Sequence, residues 1–203
     1  MIFYIHGFNS GKSSSTSELL AKQTGKEIIS LSYDSSKCCK ENIDNLISQF
    51  NAYPLGNHII IGTSLGGFYA LKLAEYLGTQ AICFNPALFP SEQLEQFVGE
   101  NVNFSTGEHY VLTKETVASY KDFETPKTMF NDYVQIYVSE KDGLLKYPIE
   151  TLERYLSQKI SSKDFDVSSK LHCTITQTSH RITDFSPFLK TIELFCSRYD
   201  WLF

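Results

Sequence analysis

Short apolar runs punctuate the first half of the chain, and each is followed by a longer stretch with helical spacing. Residues 2–5, Ile-Phe-Tyr-Ile, predict a strand, and a Gly/Ser/Asn-rich loop leads on to a short helix over 18–23 that stops at Gly25. Residues 28–32 predict a second strand. Ile43, Leu46, Ile47 and Phe50 recur at helical spacing, so 41–50 predicts an amphipathic helix. The isoleucine-rich stretch 58–61 is too short to be a helix of its own and predicts a third strand. Residues 65–77 are helical and end at Gly78, a C-cap, and 80–84 predict a fourth strand. This β-α-β-α order predicts the α/β class, a mostly parallel sheet with helices on both faces.

The rhythm breaks between 86 and 130. Phe89, Phe97, Phe104, Tyr110, Tyr120 and Phe123 fall there without a clean strand pattern, which predicts an inserted cap of short helices. Its aromatics can form a local core and also wall a pocket. Regular order then resumes with a strand over 133–138, a helix over 148–160 and a last strand over 171–177. Ser186-Pro187 predicts an N-cap and a first-turn proline for a final helix through 201. The length of 203 residues suits one domain, 1–203, with 86–130 as its insertion.

Charge and cysteine content narrow the function classes. A formal net charge of −5 with no basic run offers nothing to hold nucleic acid or an anionic membrane. The five cysteines include no C-x-x-C pair, so neither a zinc ribbon nor a thioredoxin-type redox site is indicated, and free thiols in a reducing cytosol are expected. The N-terminal residues carry no basic leader or long apolar segment, so the expectation is a cytoplasmic protein without a membrane span.

The chemistry enters at Gly62-Thr63-Ser64-Leu65-Gly66-Gly67. A buried strand runs straight into this G-x-S-x-G turn and a helix leaves it, which is the context that makes the pattern informative. Such a turn projects a serine hydroxyl above the sheet edge. Gly62 and Gly66 are required because neighbouring main chain passes too close for a Cβ. The following helix directs N–H groups and partial positive charge at an oxyanion.

A serine hydroxyl needs a histidine to take its proton and an acid to hold that histidine. In open α/β sheets the site lies at the carboxyl ends of the strands, and this sorts the five histidines. His58 and His172 stand at strand starts, His109 lies in the predicted cap, and His6 is held in a His6-Gly7-Phe8 turn. His180 lies just past the last strand and is the expected base. The acid is expected on the loop after the 133–138 strand, from Asp142, with Glu140 as its competitor on the same loop; Asp132 stands at the wrong end. The second oxyanion donor is expected from the loop after the first strand, the Phe8 amide pairing with that of Leu65, with Gly7 allowing close approach and His6 orienting the loop. This chemistry calls for no cofactor and no metal.

The opening Ile5-His6-Gly7-Phe8-Asn9-Ser10, the serine turn running on to Phe68-Tyr69-Ala70, Asn85-Pro86-Ala87, and the 106–112 stretch ending Tyr110-Val111-Leu112 together resemble the YqiA-like esterases of bacteria, within the α/β-hydrolase superfamily. The resemblance extends through the acid loop to His180. It implies a compact α/β-hydrolase active on short acyl esters, with Ser64, Asp142 and His180 as its triad. Two features depart from that pattern: no glycine stands directly ahead of Asp142, and Arg181 follows the histidine where a small or apolar residue is common. The second bears on substrate charge.

The expected function is therefore hydrolysis of a small-molecule ester, with no nucleic-acid or membrane partner and no prescribed oligomeric state. Thioester or peptide hydrolysis shares the same triad. A non-catalytic binding protein of the same fold is a reading from another class. A phosphate-binding loop at Gly7-Phe8-Asn9-Ser10-Gly11-Lys12-Ser13 fails on spacing, since three residues rather than four separate its glycines.

Overall fold

The computed structural model describes residues 1–124, 132–145, 147, 152 and 171–197. Six strands form one parallel sheet in the order β2-β1-β3-β4-β7-β8: β1 Ile2–Ile5, β2 Ile28–Leu31, β3 Ile59–Thr63, β4 Gln80–Phe84, β7 Val134–Ser139 and β8 Leu171–Thr176. The strands of the first half lie within one or two residues of the runs read from the sequence. They are legible because a parallel sheet covered on both faces needs near-continuous apolar strands.

Alternation along β1 divides the core. Phe3 and Ile5 face helices α2 (Cys39–Asn51) and α3 (Leu65–Leu77), where Ile43, Leu46 and Phe68 are buried with them. Ile2 and Tyr4 face the opposite layer with Leu20 of α1 (Ser15–Thr24) and Ile192 and Phe195 of the last helix, Leu189–Ser197. The result is a three-layer α/β/α arrangement. Helix α3 is buried from Leu65 to Glu75. Its lysine therefore needs a partner, and Lys72 Nζ lies 2.9 Å from Glu75 one turn on. Gly78 ends α3 at φ 62°.

The segment after β4 differs from the sequence expectation. Two short helices, α4 (Pro90–Gln93) and α5 (Lys114–Ala118), bracket an antiparallel hairpin of β5 (Gly99–Val102) and β6 (His109–Leu112). The cap thus contains strands where none was expected. Only Leu112 of the hairpin strands is buried, so they lack the apolar run or clean alternation that marks a half-buried strand. It is tied down by polar contacts: Phe104 N–H donates to Asn9 O at 2.8 Å, and Asn103 Nδ2 donates to Ser10 O at 3.1 Å. Tyr110 donates its hydroxyl to Asn9 Oδ1. Tyr120 joins the main core and meets Tyr69, hydroxyl to hydroxyl, at 2.7 Å.

Chain-end expectations are met in part. Ser186 opens a 3-10 turn, Ser186–Phe188, ahead of the last helix, α6 (Leu189–Ser197), instead of capping it. Asp184 takes the capping part, its carboxylate accepting from the Ser186 amide at 2.9 Å and the Ser186 hydroxyl at 2.6 Å. The expected 148–160 helix, the 125–130 end of the cap and the chain beyond 197 lie outside the described residues. No helix among the described residues is long and apolar enough to cross a membrane.

Candidate functional site

All the segments that carry candidate chemistry leave the carboxyl ends of parallel strands, so the fold collects them at one sheet edge. Ser64 follows β3 and has φ 54°, ψ −123°, a conformation that L side chains seldom adopt. The turn is fixed by its own main chain. Ser64 N–H donates to Phe84 O at 3.0 Å, and Ser64 O accepts from Gly67 at 2.9 Å and from Ala87 at 3.0 Å. The two flanking glycines have no room for side chains. A Cβ on Gly66 would lie 2.1 Å from Ile5 O and 2.3 Å from His6 O, and one on Gly62 would lie 2.2 Å from Gly66 O. Gly7 is less constrained, since a Cβ there would sit 3.5 Å from Ser64 Cβ, in ordinary contact.

His180, on the loop after β8, brings Nδ1 to 2.6 Å from Asp142 Oδ2. Asp142 is buried, and its other oxygen accepts the amides of Leu144 at 2.7 Å and Leu145 at 2.8 Å. Burial works to raise this carboxyl's pKa. The bonds from His180, Leu145 and Leu144 outweigh it and hold the group below its ordinary value, so Asp142 is a fully charged anchor at neutral pH. Glu140 turns outward on the same loop and accepts from Gln177 at the exposed surface. Of the two acids left open by the sequence, Asp142 is the one that reaches His180.

The loops carrying this pair are joined by a residue that sequence reasoning left without a role. Asn85 follows β4, is buried, and has φ 45°. Its Oδ1 accepts the Ser139 amide at 2.8 Å, while Nδ2 donates to Ser179 O at 3.0 Å and His180 O at 2.9 Å. One side chain thus ties the end of the acid-bearing strand to the histidine loop.

His6 is buried, with Nδ1 at 2.9 Å from Gly7 O, Nε2 at 3.2 Å from Ser32 Oγ, and its ring stacked on Tyr33 at 4.5 Å. Burial lowers its pKa to about 4 against the opposing effect of the Gly7 carbonyl, so it is a neutral, loop-fixing side chain at pH 7. The other histidines are elsewhere: His58 donates to Pro54 O ahead of β3, His109 opens β6, and His172 is at the start of β8.

A cavity of about 980 Å³ runs along this edge, lined among others by Gly7, Phe8, Ser64, Leu65, His180 and Arg181. Among the described residues neither the Phe8 nor the Leu65 N–H has a main-chain acceptor. Ser64 and His180 line the same cavity, and among the described residues no hydrogen bond joins their side chains. No group of three or more His, Cys, Asp or Glu among the described residues could hold a metal ion.

Comparisons with known proteins agree with this architecture. The family described as "Uncharacterised protein family (UPF0227)" matches residues 1–196. A UPF0227 protein, YcfP of Escherichia coli O139:H28, is 28% identical over 99 residues, 47% of this chain and 55% of its own length. The chain thus spans about half the length of the curated relatives it matches. Among solved structures, the monoacylglycerol lipase of Paleococcus ferrophilus is similar with a TM-score of 0.64 at 13% identity, over 97% of this chain and 93% of that one. The mouse α/β hydrolase domain-containing protein 10 gives a TM-score of 0.61 at 15% identity, over 99% and 88%. These likenesses establish the α/β-hydrolase fold.

Proposed function

The chain belongs to the UPF0227 family, and from that premise we propose that it is a serine hydrolase that cleaves small, short-acyl esters through Ser64, His180 and Asp142. The observation that carries the reading is the 2.6 Å bond from Asp142 to a histidine that shares its cavity with a strained, turn-borne serine.

In the proposed cycle His180 removes the Ser64 proton as Ser64 Oγ attacks the ester carbonyl. The Phe8 and Leu65 amides receive the negative oxygen. His180 then hands its proton to the leaving alcohol as the acyl-enzyme forms. Water, deprotonated by the same histidine, attacks the acyl-serine and releases the acid. Asp142, held ionised by two amides, keeps Nδ1 protonated and stabilises the imidazolium. Losing one oxyanion donor would raise the barrier by about 3 kcal/mol. Thioesters pass through the same acyl-enzyme and are the second substrate class to assay.

The test is labelling with a fluorophosphonate, read by intact mass and peptide mapping. One adduct on the Ser64 peptide, absent from Ser64→Ala, is expected together with ester turnover by the unmodified protein. A folded protein that takes no adduct overturns the reading in favour of a binding protein of the same fold.

A further inference from the structure

The cavity lining mixes exposed apolar side chains with one charge of each sign. Phe97, Phe104 and Leu144 are among its lining and are 37%, 82% and 63% exposed. Glu100 on β5 is the negative side chain of the lining, and it shares the hairpin region with Phe97 and Phe104. Arg181 carries the positive charge, directly after His180 in the chain. Its guanidinium donates to Ser15 Oγ at 2.6 Å, and among the described residues it makes no ion pair. Ser13, Ser15 and Thr16 also line the cavity, so the lining offers a cation held by Ser15 together with further hydroxyl groups.

We infer that the substrate is an ester with an apolar acyl half and an alcohol half bearing a negatively charged group, carboxylate or phosphate, which Arg181 receives. The inference rests on the hydrolase reading above. The leaving oxygen must come within hydrogen-bond reach of His180 to regain its proton, and Arg181, next in the chain, lines the same cavity, so the group beyond that oxygen is the one assigned to it. The acyl half is then left to the apolar lining side chains Phe97, Phe104 and Leu144. Ser15 holds the guanidinium in place, which reduces the entropy lost when an anion docks on it.

The test compares 4-butanoyloxybenzoate with its uncharged amide, 4-butanoyloxybenzamide, through the ratio of their kcat/KM values. Arg181→Gln is expected to lower that ratio about fivefold, as loss of a partly exposed ion pair would, and Arg181→Lys to keep most of it. Calorimetry on Ser64→Ala should show the benzoate ester bound tighter than the amide, with the preference gone in Ser64→Ala/Arg181→Gln. An unchanged ratio with equal binding overturns the inference and leaves the hydrolase reading standing. Preferential binding without turnover of either ester does the reverse. An Arg181 dependence appearing only for the 4-nitrophenyl hemiester of glutaric acid, with its charge on the acyl half, overturns the proposed orientation.

Discussion

The side-chain amide of Asn85 donates to the main-chain carbonyl of His180 at 2.9 Å, so the base of the proposed mechanism is held from a strand end 95 residues earlier. The same side chain accepts from Ser139, three residues ahead of Asp142, at 2.8 Å. Acid loop and histidine loop therefore share one support.

Replacing that support should cost turnover before binding. Asn85→Ala leaves a buried amide and two carbonyls without partners, for a loss of about 3 kcal/mol of stability. A shift of His180 by an ångström would lower kcat about a hundredfold with KM little changed. Asn85→Asp keeps the acceptor for Ser139 but sets an oxygen against two carbonyls, and should be the more damaging of the two. Ester kinetics beside thermal melts check this; KM rising while kcat holds would make Asn85 a substrate contact instead.

The two acids of the β7 loop should separate cleanly. Asp142→Asn removes the charge beside His180 and should lower kcat by about four orders of magnitude, the scale of a histidine left in the wrong tautomer. Glu140 bonds Gln177 at the surface, so Glu140→Gln should stay within twofold of the unmodified protein, on the scale of an exposed pair. The reverse ranking in kcat would transfer the role to Glu140.

These assignments differ in how far the chain itself announces them. The β3-turn-α3 unit is legible because a buried strand, a G-x-S-x-G turn and a capped helix follow one another without interruption, and each is a local signal. His180 is legible by topology, since a parallel sheet sends every strand end to one edge. Asp142 and Glu140 cannot be separated by that argument, because one loop carries both and side-chain direction decides. The role of Asn85 is invisible in the sequence. An asparagine after a strand reads as a turn residue, and its partners come from 54 and 95 residues away. The β5-β6 hairpin is missed for the opposite reason: its polar tethers to Asn9 and Ser10 replace the apolar burial that would have patterned it.

Ser64 sits in a backbone region that glycine occupies freely, which sets function against stability. Ser64→Ala and Ser64→Gly should both abolish turnover. Ser64→Gly should nevertheless be the more stable of the pair by about 1 kcal/mol, relief of φ strain exceeding the added freedom of the unfolded chain. Denaturant midpoints at unchanged m-value would show it; equal midpoints would mean that the turn is not strained.

His6 sets an acid limit on the fold that is separate from catalysis. Its folded pKa, about 4, lies below the ordinary 6.5, so between these values the unfolded chain binds the proton and the folded one does not. Stability contributed by the neutral imidazole is fully present above about pH 6.5 and drains away as pH falls toward 4, by about 3 kcal/mol in all. Asp142, with its pKa held below 3.8, adds its own loss mainly at lower pH. His6→Gln keeps a donor for Gly7 O and carries no titratable ring. Its stability should start lower at pH 7 and fall less between pH 6.5 and 4 than that of the unmodified protein. Urea denaturation at half-unit pH steps reads the difference directly, and parallel curves for the two proteins would show that His6 takes up its proton in the folded state without penalty.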